Sequence, residues 1–324
     1  MSQHPKQKIH VRCNKKEAPM SDKTKANQEF DWANLDSDAG YLAWRATKLS
    51  RAEKCLSEAP VALSDLANPS ESERKEVIRR CQESNFAVYS APAETDDSTV
   101  RRQLRGFADA FGLRIAEAHR SEGEQGIVAL RVSDTPEQRG FIPYTSRGIN
   151  WHTDGYYNAP DNLISGFVLH CMVQAAEGGT NDILDHEIIY IRLRDAHPEY
   201  LRALMHPQAM AIPENVEKDG SVRPVSVGPV FYPDPQTGRM QMRYTARTRS
   251  ISWRDDPVTL EAEAWLRNYL AKGDPLALRA RLQPGQGVLN NNVLHTRTPF
   301  ENGADTDLTR VMFRVRFHNR VGEI

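Results

Sequence analysis

Two stretches decide how this chain is read: Ile149-Asn150-Trp151-His152-Thr153-Asp154-Gly155-Tyr156-Tyr157, and PGQGVLNNNVLHTRTPF over residues 284–300. In an extended strand, side chains two positions apart leave the same face, so His152 and Asp154 project together while Thr153 points away. An imidazole and a carboxylate placed like this make half of a metal site, and the other half needs a second imidazole. A lone His-x-Asp is a weak signal in a chain with ten histidines. The second stretch supplies His295 at the end of a predicted strand, after a Pro-Gly turn and the run Asn290-Asn291-Asn292, which fits a tight connection. Three protein ligands on one face of an octahedral ion leave three positions for a bidentate co-substrate and dioxygen.

Outward from these stretches, residues 127 to the end read as short strands separated by turns: GIVALRV, INWHTDG, LISGFVLHCMV, NDILD, PVFY, MQMRYT, RARL, GVLNN and RVMFRVRF. Helical spacing precedes them in ESERKEVIRRCQES and STVRRQLRGFADAFG, with NFAVYSA as a buried strand between. Helical insertions are predicted near residues 186–205 and 257–271; in the second, Asp256 caps, Pro257 suits the first turn and Gly273 ends the helix. Strands without a regular βαβ alternation argue against a doubly wound parallel sheet. The fold class is mainly β with flanking helices (α+β), a sandwich or a jelly-roll barrel.

The last predicted strand, residues 310–317, places Arg310, Met312, Arg314 and Arg316 on one face and Val311, Phe313, Val315 and Phe317 on the other. The apolar face should pack on helices. An ordinary edge strand would send its arginines to solvent. Arg310 and Arg314, following so soon after a candidate ligand, are read instead as inward-facing. A buried guanidinium almost requires an anion, which it grips through two parallel hydrogen bonds.

Taken in order, His152-Thr-Asp154, Glu177-Gly-Gly-Thr180, Pro284-Gly, His295-Thr-Arg297-Thr-Pro-Phe300 and Arg310-x-x-x-Arg314 resemble the taurine dioxygenase-like (TauD/TfdA) family over about residues 75 to 320. The resemblance implies a double-stranded β-helix and an iron(II) enzyme that uses 2-oxoglutarate and O2. It implies His152, Asp154 and His295 as metal ligands, Arg310 on the distal carboxylate of 2-oxoglutarate with Thr180 assisting, and Arg314 facing substrate or the other carboxylate. Asn290-Asn291-Asn292 departs from the family's usual Asp-Asn pair before the distal histidine. Asn150, Trp151, Tyr156 and Tyr157 flank the ligands and are substrate candidates. Arg314 and Arg147 suit an anionic substrate, whereas the aromatic residues suit a quaternary ammonium equally well. Two rival classes stay open: a cupin-like metal-dependent hydrolase or isomerase, and a catalytically silent binding protein on the same fold.

Composition narrows the partners. The chain has 324 residues, 26% charged and 39% hydrophobic, with a net charge of -1, which gives no global field for nucleic acid or an anionic membrane. The expected partner is a small molecule, with a homo-oligomer also compatible. Cys13, Cys55, Cys81 and Cys171 lie far apart and outline neither a disulfide framework nor a zinc site. With no signal peptide or membrane span in view, a cytoplasmic location is expected. Residues 1–25 carry seven Lys/Arg against two acidic residues and are read as a flexible basic tail, with translation starting at Met1 or Met20. Residues 26–70 form an N-terminal extension of unclear structure, and residues 71–324 a single oxygenase domain.

Overall fold

The computed structural model describes residues 30–116, 126–135, 138, 140–159, 162–216, 220–303 and 309–322. The basic tail and the question of Met1 or Met20 lie outside them. Six strands form the larger sheet in the order Val61–Ala62, Phe86–Ser90, Gln286–Asn290, Gly166–Val173, Val311–Phe317, Ile127–Leu130. A four-stranded sheet, Leu278–Ala280, Asn181–Leu184, Leu294–Arg297, Ile149–His152, lies opposite. All pairings are antiparallel except that of the 61–62 and 86–90 strands. Neighbours in each sheet come from distant parts of the chain, and the two sheets make the expected double-stranded β-helix.

Alternation along the strands divides the interior in two. Val168, Leu289, Phe313, Val315 and Phe317 face outward onto α2 (Glu71–Ser84) and α3 (Asp97–Ala110), where Val77, Cys81, Leu104 and Phe107 meet them. Phe167, Leu169, Cys171, Val288 and Met312 face into the roll and pack with Ile183 and Val293. The 311–317 strand therefore divides as its sequence predicts, with the apolar face on the helices. Ser70 and Glu73 close a capping box at the start of α2, and Gly112, at φ 61°, follows α3.

The first predicted insertion is two helices, α4 (His186–Ala196) and α5 (Pro198–Leu204), where one was expected. Pro198 is the reason: the residue before proline is forced out of the α region, and His197 has φ −150° and ψ 73°. The second insertion is α6 (Pro257–Lys272), capped by Asp256 and followed by Gly273 at φ 84°. Cys55, Cys81 and Cys171 form no disulfide. No helix among the described residues is long and apolar enough to cross a membrane.

The extension that was unclear in sequence contains α1 (Tyr41–Ser57) and the 61–62 strand. Phe30, Trp44 and Tyr190 pack as a cluster of tilted and edge-on rings, and the Tyr41 hydroxyl donates to Asp195 Oδ1 at 2.7 Å. Beneath them, Lys48 is buried against the carboxylates of Asp185 and Glu187. Asp185 also accepts from Asn85 Nδ2, and Asn85 Oδ1 accepts from Arg320 and from Asn291 Nδ2. The helix is anchored by charge more than by an apolar stripe, so hydrophobic periodicity does not reveal it.

Replacing Lys48 with Met leaves two buried carboxylates without their ammonium partner and should cost about 3–5 kcal/mol in urea unfolding at pH 7. Burial alone would raise the Glu187 pKa, but Lys48, with His186 and Arg320 adding to it, outweighs burial and holds the group at about 2, below its ordinary 4.5. A depressed carboxylate stabilises fully above its unfolded value and loses that contribution as pH falls toward the folded one. The gap between wild type and Lys48→Met should narrow between pH 4.5 and 2. A gap that stays constant over that window contradicts the assignment.

Candidate metal centre

The 149–152 and 294–297 strands pair with His152 and His295 in direct register. The two rings lie 4.1 Å apart between centroids, and Asp154, two residues beyond His152, brings Oδ1 to 3.9 Å from His152 Nε2. One ligand atom from each of His152, Asp154 and His295 fits within 4.8 Å of the others.

Each imidazole is held by the carbonyl two residues before it. His152 Nδ1 donates to Asn150 O at 2.9 Å and His295 Nδ1 to Val293 O at 3.0 Å. A carbonyl only accepts, so both Nδ1 atoms carry the hydrogen and both Nε2 lone pairs are free for a cation. Burial lowers the pKa of both rings, that of His295 to about 3, which keeps them neutral at physiological pH. For Asp154, burial would favour the acid form, but the guanidinium groups of Arg314 and Arg316 hold it well below the usual carboxylate range. Two neutral imidazoles and an ionised carboxylate are a donor set suited to a divalent transition metal.

The other expected residues divide. Tyr156 stands edge-on to His152, 6.5 Å between centroids, and its hydroxyl accepts from Arg247 Nη1. The Tyr157 hydroxyl accepts from Arg316 Nη1 at 3.1 Å. Trp151, expected beside the substrate, is turned to the other face: its indole donates to Leu270 O and joins the core behind the smaller sheet. Asn150 and Arg147 are exposed. Arg314 Nε lies 3.5 Å from Asp154 Oδ2, and that buried nitrogen has no hydrogen-bond partner.

Arg310 is 4% exposed, and no carboxylate among the described residues pairs with it. Its guanidinium covers the Phe300 ring at 4.9 Å, and burial lowers its pKa to about 10. The Glu177-Gly-Gly-Thr180 turn makes room for it. A Cβ at Gly178, φ +70°, would come 2.1 Å from Pro299 O; one at Gly179, φ +67°, would come 3.2 Å from Arg310 Nε. Thr180, the next residue, is tied to Thr298 through its backbone N–H and carbonyl. Arg297 donates to the carbonyls of Ile142, Pro143, Thr145 and Arg147 and so secures the loop leading into the His152 strand.

A match to the model of the taurine catabolism dioxygenase TauD, TfdA family spans residues 48–315. The chain belongs to the TauD/TfdA family. It is therefore a non-haem iron(II) dioxygenase that uses 2-oxoglutarate and O2, and the donor set above fits that metal. Its fold is similar to an asparagine oxygenase bound to Fe(II), 2S,3S-3-hydroxyasparagine and succinate, at 14% identity and TM-score 0.57 over 86% of this chain and 91% of that one. It is also similar to the oxygenase OrfP with Fe, succinate and (3S)-hydroxy-L-Arg, at 15% identity and TM-score 0.59 over 86% and 92%. A taurine dioxygenase from Burkholderia xenovorans matches at 17% identity and TM-score 0.52 over 82% and 89%.

Two contributors to this TauD/TfdA site are missed by sequence reasoning. Asn292, read only as part of a tight connection, accepts from the Asp154 backbone N–H at 2.7 Å and donates to the carbonyls of Asp154 and Ile164. Its φ is +52°, a conformation that asparagine adopts more readily than other side chains. The only sequence signal was the asparagine run itself. Arg316 was placed on the correct face by alternation, yet nothing in sequence pointed it at Asp154.

Asn292→Ala should lower unfolding stability by about 2–4 kcal/mol, since it strands buried backbone groups and puts alanine at positive φ. Asn292→Gly, which relieves only the backbone conformation, should lose less. Equal losses in urea denaturation would mean that φ is irrelevant at this position.

Proposed function

We propose that His152, Asp154 and His295 hold the iron and that Arg310, assisted by Thr180, binds the distal carboxylate of 2-oxoglutarate. The substrate is a small molecule bearing an anionic group, oxidised at a C–H bond by hydroxylation or by oxidative dealkylation or C–S cleavage. One observation carries this reading: Arg310 is buried without a carboxylate partner among the described residues, while Arg314 and Arg316 share the single carboxylate of Asp154. Desolvated guanidinium groups in such excess favour anions from outside the chain.

Bound iron(II) supplies dioxygen activation at the expense of 2-oxoglutarate, which leaves as succinate and carbon dioxide. The chain's own work is to bind, orient and exclude water. Three neighbouring donors leave the remaining coordination positions to small ligands. Arg310 fixes one end of the dicarboxylate by charge-assisted hydrogen bonds. Phe167, Leu169, Ile183 and Val288 wall the interior behind His295 with apolar surface, which keeps water from the reacting centre. Arg314, with its Nε lacking a hydrogen-bond partner, is suited to a substrate carboxylate, and Tyr156 lies beside His152 to limit where the substrate chain can run. The products bound to the asparagine oxygenase and OrfP are hydroxylated amino acids, which carry such a carboxylate. A carboxylate-bearing, amino-acid-like substrate is the class to screen first. A hydrolase on the same three ligands would have no use for Arg310 and would turn over without oxygen.

Purified protein with Fe(II) and 2-oxoglutarate should release succinate and consume oxygen, faster when the substrate is present. His152→Ala and His295→Ala should abolish both. Arg310→Met should raise the KM for 2-oxoglutarate at least about thirty-fold, corresponding to the lower end of the roughly 2–5 kcal/mol lost when a buried charge pair is truncated. Oxygen-independent turnover, or a KM insensitive to Arg310, contradicts the proposal.

A further inference from the structure

Asp154 is held from two sides. Asn292 holds its backbone on one side. On the other, Arg316 Nε donates to Oδ2 at 2.9 Å and Arg316 Nη2 to Oδ1 at 3.3 Å. Arg316 is 6% exposed, and its third nitrogen is fixed by the Tyr157 hydroxyl. Arg314 adds charge beside Oδ2 without a hydrogen bond to it.

The two carboxylate oxygens are thereby made unequal. Oδ2 takes the shorter Arg316 bond and the Arg314 charge, whereas Oδ1 takes only the longer bond and is the oxygen 3.9 Å from His152 Nε2. We propose that Arg316 is a positioning residue that occupies Oδ2, so that Asp154 offers Oδ1 alone to the metal. A one-oxygen ligand leaves the neighbouring coordination positions clear, whereas a free carboxylate can swing and chelate through both oxygens. The planar fork suits this role: it fixes the carboxylate plane as well as its charge, which the point charge of an ammonium does not. Tyr157 sets the fork's orientation and is in this sense part of the metal site, in addition to any contact with substrate.

Arg316 acts on the metal in two opposing ways. As a fixed cation it weakens the carboxylate as a donor and repels the metal. As a clamp it removes the disorder that binding would otherwise have to overcome. The clamp dominates, so removing Arg316 weakens metal binding. It rests on His152, Asp154 and His295 being the ligands, and the test separates failure of that reading from failure of this one.

The experiment is anaerobic titration of the full-length protein with Co(II), read by its visible absorption, for wild type, Arg316→Met, Arg316→Lys and Tyr157→Phe. Thermal unfolding of each metal-free protein reports whether it is folded. Arg316→Met should bind Co(II) ten- to a hundredfold more weakly, the range typical when a partner of a metal ligand is lost. Its absorption bands should also shift, because Oδ2 becomes free to coordinate. Arg316→Lys keeps the charge but not the fork, and should stay severalfold weaker than wild type with shifted bands. Tyr157→Phe should fall between Arg316→Lys and wild type. If Arg316→Met does not fold, the Arg316→Lys and Tyr157→Phe results decide. Wild-type affinity and spectrum in Arg316→Met or in Arg316→Lys would overturn the proposal, and so would tighter binding in Arg316→Met. No Co(II) binding by wild type would instead overturn the ligand assignment itself.

Discussion

The site depends on a backbone register. Pairing of the 149–152 and 294–297 strands sets His152 opposite His295, and a slip of one residue would send one imidazole to the other face of the sheet. The register is reinforced around these donor side chains. Arg297 stitches the loop before the first strand, and Asn292 ties the start of the second to Asp154. His295 is also flanked by Leu294, which is buried in the core behind the smaller sheet. The same strands thus bury apolar residues on one face and carry the two imidazoles on the other.

A second constraint is electrostatic. Asp154 is almost fully buried, and burial opposes its charge. Two guanidinium groups from the 311–317 strand restore that charge, and they reach it because residues 314 and 316 share a face. That strand has two functions at once. Its odd-numbered residues hold α2 and α3 against the larger sheet, and its even-numbered residues face into the roll. Substitution on either face would be felt by the other through the backbone they share.

The N-terminal helix belongs to the same structure. Lys48 links it to Asp185 and Glu187, and Asn85, Asn291 and Arg320 extend the polar network to the residue adjoining Asn292. A buried network of this kind is stable only when its members are paired, so the extension and the chain before the distal histidine depend on each other.

What sequence alone determined was whatever repeats at short range or carries its own chemistry. Period-two alternation identified the inward and outward faces of the last strand, helical spacing located α2 and α3, capping and stop residues located α6, and the spacing of His152 and Asp154 put two donors on one face. The order of motifs from His152 to Arg314 named the family, which the match over residues 48–315 bears out. Only the tertiary structure decided the rest. It brought His295 opposite His152, turned Trp151 into the core, aimed Arg316 at Asp154, gave Asn292 its place beneath the carboxylate and docked α1 through a buried lysine. These depend on contacts between residues far apart in the chain, and neither propensity nor periodicity holds information about which distant partner a buried charge will meet.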